Sequence, residues 1–157
     1  PPDLYSIPIE ELRDGMESAH PSSMMVYALR LSEELNRPQE ALFWFYASQL
    51  RWRTRMACHE FEPGGEGALF GSMMSVSGAI FNGWASGNID VWLDTIDRVH
   101  AWDLATEERF EEDKKCTVEA EEQRAGMLKL KQSILDNRTE LEAAATEKAT
   151  VSGSVEP

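Results

Sequence analysis

The run Arg37 to Arg53, RPQEALFWFYASQLRWR, constrains the fold more than any other part of the chain. Pro38 suits the first position of a helix and Glu40 its positive end. Leu42, Phe45, Gln49, Trp52 and Met56 then recur along one stripe, and Phe43, Tyr46, Ala47 and Leu50 form a second beside it. A helix that is apolar on two faces has to be covered on two faces, so the flanking segments are expected to wrap around this one.

Those segments also read as helices. Residues 1–7 look extended and lead into a short helix near Ile9 to Ala19, whose Ile9, Leu12 and Met16 suit a lid over one end of the core. His20-Pro21 interrupts the chain. Ser22 to Leu35 then carries Met24, Ala28, Leu31 and Leu35 on one seam, and the short Asn36-Arg37 connection makes this helix and the Pro38 helix an antiparallel hairpin. Pro63-Gly64-Gly65 marks a loop.

From Gly67 to Ile89 there is no charged residue, but five glycines and several serines make the run too weakly apolar for a membrane span. It reads as a buried helix of a soluble protein. Phe70, Met73, Ser77, Ile80, Phe81 and Trp84 are expected to face inward, and Gly71, Ser75, Gly78 and Ala79 to let a neighbour approach. Asn88 and Asp90 open the next helix, with Ile89, Trp92, Leu93, Ile96, Val99 and His100 on one face and Asp90, Asp94 and Asp97 on the other.

Beyond Asp103 the composition turns acidic, through Glu107, Glu108, Glu111, Glu112 and Asp113. A long charged helix is then predicted from about Thr117 to Ala145. Its narrow stripe of Met127, Leu130, Ile134 and Leu141 either packs across the two hairpins or pairs with a second copy as a homodimer. The expected architecture is a single all-α domain over residues 1–149, of five to six helices: two antiparallel hairpins, the long C-terminal helix and a disordered tail at 150–157.

The segment 23–53, with Tyr27-Ala28-Leu29 facing Ala41-Leu42-Phe43-Trp44-Phe45-Tyr46-Ala47, resembles one helical hairpin of the Sel1-like or tetratricopeptide class. That resemblance implies a protein-binding scaffold. No second copy follows at the expected spacing, and Leu29 falls near the place where such units carry a small residue.

The 28 acidic against 15 basic residues, a net charge of −13, repel nucleic acid and anionic membrane surfaces and favour a basic protein partner. With Cys58 and Cys116 the only cysteines, the chain reads as cytoplasmic and without a disulfide framework. Neither a nucleophile elbow nor a phosphate loop is present, and the chain reads as a non-enzyme without a cofactor. A metal site is not expected, since Cys58, His59, His100 and Cys116 lack the close spacing of zinc ligands, and His59 beside Cys58 on a helix points elsewhere.

In overall type, a short acidic domain of this kind is similar to bacterial toxin-immunity proteins. That similarity implies that Asp90, Asp94, Asp97, Glu107, Glu108, Glu111 and Glu112 meet a basic toxin enzyme. Arg51 and Arg55 are expected either to pair with an internal acid such as Asp97 or Asp103 or to bind an anion. A structural adaptor that oligomerises through its C-terminal helix is the second reading. A third is a small-ligand binder or carboxylate enzyme with a pocket lined by Trp44, Trp52, Trp84 and Trp92.

Overall fold

A computed structural model describes residues 3–106 and 116–155. Its described residues form seven α-helices and no strand: α1 (Ile9–Arg13), α2 (Pro21–Leu35), α3 (Pro38–Cys58), α4 (Glu66–Ser86), α5 (Ile89–Ala105), α6 (Thr117–Asp136) and α7 (Arg138–Val155), with a 3₁₀ turn at Met16–Ser18 after α1. The expected all-α class holds, with a higher helix count. The short N-terminal helix divides at Gly15, whose φ of +80° is left-handed. The long C-terminal helix divides at Asn137, whose side-chain amide donates to the Ser133 carbonyl at 2.8 Å and closes the last turn of α6. The helix then resumes as α7 and runs to Val155, through most of the stretch expected as a disordered tail.

Helix α3 is the centre, in contact with α2, α4, α5 and α6. Its Ala41, Leu42, Phe45, Ala47 and Trp52 are fully buried, which matches the two-sided apolar pattern. The α2–α3 turn is made by Asn36, left-handed at φ 48° and ψ 51°, a conformation Asn tolerates better than most residues. The two helices also lock through a hydrogen bond, in which buried Ser48 Oγ donates to the Pro21 carbonyl at 2.7 Å. Ile9, Leu12 and Met16 are buried against this hairpin, so α1 and the 3₁₀ turn form the expected lid.

Polar side chains tie the helix ends. His20 caps α2, its Nδ1 accepting from the Ser22 N–H at 3.0 Å, which leaves Nε2 to donate to Glu66 Oε1 at 2.7 Å. Arg55 donates to that same oxygen at 3.0 Å, so the start of α2, the end of α3 and the start of α4 meet on one carboxylate. At the front of the chain, the nearly buried Arg30 guanidinium donates to the Leu4 carbonyl at 2.7 Å and to the Ile7 carbonyl, with Glu34 on its other edge.

The stripe Met127, Leu130, Ile134 and Leu141 packs against this same core, with Met127 and Ile134 buried. Covering the hairpins is thus a use of this stripe. Among the described residues, no helix is long and apolar enough to cross a membrane.

Candidate interaction surface

Helix α4, uncharged after Glu66, is the element whose setting departs furthest from expectation. Only one side of it is covered: Ser77, Gly78, Phe81 and Ala85 are buried, with Phe70, Met73, Met74 and Trp84 half-buried beside them. Leu69, Val76 and Ile80 stand 46%, 62% and 46% exposed. At steps of seven and four residues they share one side of the helix. Ile80, expected inside, sits at the edge of the packed arc and turns outward. Of the small residues expected to admit a neighbour, Gly78 lies in the covered arc, whereas a side-chain carbon added at Gly71 would meet nothing within 4 Å. With Ser72, Ser75 and Ala79 also exposed, α4 presents an apolar, uncharged strip to solvent.

The acidic row divides between two states. Asp97 accepts from Lys131 Nζ on α6 at 2.7 and 2.8 Å, and Asp90 accepts from Arg138 on α7 at 2.8 Å. Both carboxylates are engaged in fastening α5 to the C-terminal helices. Asp94 is exposed and makes no ion pair among the described residues. Glu107, Glu108, Glu111 and Glu112 lie outside the described residues.

Arg51 is an interior group. It donates through Nε to Asp103 Oδ1 and through a terminal nitrogen to Thr106, and its guanidinium lies 4.4 Å from the Trp102 ring centre. Arg124 of α6 donates to the other Asp103 oxygen at 2.7 Å. Arg51, Asp103 and Arg124 are all at most 5% exposed, so this ionic knot joins α3, α5 and α6 inside the protein. Asp103, of the two acids considered for Arg51, is therefore the partner, and Arg55 pairs with Glu66 instead.

The four tryptophans do not line one pocket. Trp52 is fully buried between His20 and Phe70, and Trp44 and Trp84 border an open groove at the start of α3 with Phe43 and Arg98. Trp92 borders a separate cleft of about 510 Å³ with Tyr46, Gln49, Arg53, Asn82 and Met127. In that cleft Trp92 Nε1 donates to the Tyr46 hydroxyl at 2.9 Å, and the hydroxyl donates to Asn82 Oδ1 at 2.7 Å. Burial pushes the Tyr46 phenol up to about 12, with the Trp92 hydrogen bond opposing in part.

The cysteine reading needs correction. Cys58 and Cys116 form a disulfide, with Cα atoms 5.6 Å apart, which joins the end of α3 to the residue before α6. His59 also reaches the pair, its Nε2 lying 3.8 Å from Cys116 Sγ, and the three possible ligand atoms fall within 4.8 Å of one another. On a helix, His59 would point away from Cys58. The residue lies just past the helix, with extended φ −117° and ψ 151°, and so turns back over Cys58. Distance along the chain, 58 residues, hid the partnership of the two cysteines.

Comparison with protein-family models, with curated proteins and with solved structures found no match to this chain.

Proposed function

We propose that this chain is a protein-binding helical module that covers a basic partner through the exposed strip of α4, in the manner of an acidic inhibitor of the toxin-immunity type. The observation that carries the reading is the placement of Leu69, Val76 and Ile80 on an uncharged helix face in a chain of net charge −13. Protein interfaces are depleted of charge at their centre and polar at their rim. Contiguous exposed apolar surface rimmed by polar residues is a mark of protein-interaction sites. The negative field around such a strip would accelerate the approach of a basic protein and then leave the apolar contact to hold it.

Affinity capture from native lysate tests this with wild-type protein and Val76→Asp side by side, at low and high salt. The expected result is one stoichiometric basic protein on the wild type, reduced at high salt and absent from Val76→Asp. Equal retention by the variant would remove α4 from the reading, and a retained protein without basic character would remove the electrostatic half of it.

A further inference from the structure

The Cys58, His59 and Cys116 cluster supports a second site, independent of the α4 strip. Two sulfurs and one imidazole nitrogen within 4.8 Å make a soft donor set, assembled from the last residue of α3, its C-terminal cap and the residue before α6. With zinc–sulfur bonds of about 2.3 Å and zinc–nitrogen bonds of about 2.0 Å, a tetrahedral site separates sulfur from nitrogen by about 3.5 Å and sulfur from sulfur by about 3.8 Å. The Cys116 Sγ to His59 Nε2 distance, 3.8 Å, already fits the first spacing. The second needs the sulfurs to part by roughly 2 Å from their bonded separation, a change that side-chain rotation at half-buried Cys58 can provide.

We propose that Cys58, His59 and Cys116 hold Zn²⁺ when the two cysteines are reduced, and that the disulfide is the metal-free alternative of the same junction. The exchange is balanced with a dithiol as reductant. A thiolate of the dithiol attacks one cysteine sulfur and releases the other, and its second thiol then resolves the mixed disulfide. Two electrons pass to the protein, the dithiol leaves as a disulfide, and Cys58 and Cys116 are left as thiols. Zinc binding displaces the two thiol protons to solvent and takes the neutral imidazole of His59 as third ligand. Three protein ligands leave the fourth position to water. Either link, sulfur–sulfur or sulfur–metal–sulfur, keeps the end of α3 beside the start of α6, so the protein keeps its fold while its surface chemistry there changes with redox state.

The test is a titration with Zn²⁺ and, for its spectrum, Co²⁺. The protein is reduced with a dithiol and freed of it by gel filtration under argon. Reduced wild type should take up one ion per chain, release protons, and show thiolate-to-cobalt charge-transfer absorption. Oxidised wild type should show none of these. His59→Ala leaves both cysteines in place and should weaken zinc binding by at least the ~10–100-fold that loss of even an outer-shell partner costs. The double variant Cys58→Ser/Cys116→Ser, checked for helicity by circular dichroism, should bind no ion with thiolate absorption. Zinc affinity in reduced wild type no greater than in oxidised wild type overturns the site. Undiminished affinity in His59→Ala removes the histidine from it.

Discussion

Helices α3 and α4 are equally long, 21 residues each, and meet different fates. The first carries three arginines and is buried on most sides, whereas the second carries no charge after Glu66 and lies half bare. Apolar content alone would reverse that order. What separates them is neighbours: α3 is enclosed by α2, α4, α5 and α6, and its buried Arg51 is tolerated because Asp103 neutralises it. Helix α4 stands at the periphery, where only the arc holding Ser77, Gly78, Phe81 and Ala85 finds cover. Hydrophobicity therefore measures which surface prefers cover, and topology decides which surface receives it.

Truncation at matched positions tests that contrast most strongly. Phe45→Ala, in a fully buried side chain stacked on Phe81 at 4.8 Å, is expected to cost about 3–5 kcal/mol in urea unfolding. Val76→Ala, on the bare side of α4, should change stability by no more than about 0.5 kcal/mol. Similar costs at the two positions would mean that α4 is covered as α3 is.

A smaller effect is expected at Tyr46, where α3 meets both α4 and α5. Tyr46→Phe strips the hydroxyl that serves Asn82 and Trp92, and should cost about 1–3 kcal/mol because the buried Trp92 N–H loses its acceptor. The same residue sets a pH window. Its folded value of about 12 lies above the ordinary value of 10.0, so the folded state holds this proton more tightly than the unfolded chain. Its contribution is complete below pH 10.0 and is lost as pH rises toward about 12. Tyr27, also raised by burial, acts in the same direction. Alkaline melts should therefore decline less steeply in Tyr46→Phe than in wild type across that window.

The smallest effect concerns the acidic row. Asp94→Asn removes the one carboxylate of the row that no described base neutralises, and should slow association with the proposed basic partner slightly at low salt while leaving stability within about 0.5 kcal/mol. An association rate insensitive to this change would assign the steering to acids elsewhere in the chain.

Much of the architecture was legible in local sequence. Pro38, the short Asn36-Arg37 link and the three-and-four spacing of Leu42, Phe45 and Trp52 are enough to place the α2–α3 hairpin and its burial. The orientation of α4 was not, because an uncharged helix has no polar face to announce which side meets water. Asp90 and Asp97 look like a solvated row on their own helix, and only the approach of Arg138 and Lys131, 48 and 34 residues away, reveals them as structural fasteners. The Arg51 pairing was legible in kind because a buried arginine demands an acid, and Asp97 and Asp103 stand on α5. The cysteine cluster escaped for a geometric reason: the helix ends at Cys58, and one extended residue is enough to turn His59 onto a face that helical periodicity would forbid.

Arg30 carries one further consequence, for processing of the chain. Its guanidinium is satisfied at the front by the carbonyls of Leu4 and Ile7, so those few residues are the lining of a charged side chain rather than a loose lead-in. A peptidase that removed them would strip two acceptors from a cation only 4% exposed, and the loss would register in the α2–α3 hairpin it belongs to. Removal of the chain through Ile7 would therefore unseat Arg30 and loosen the α2–α3 hairpin.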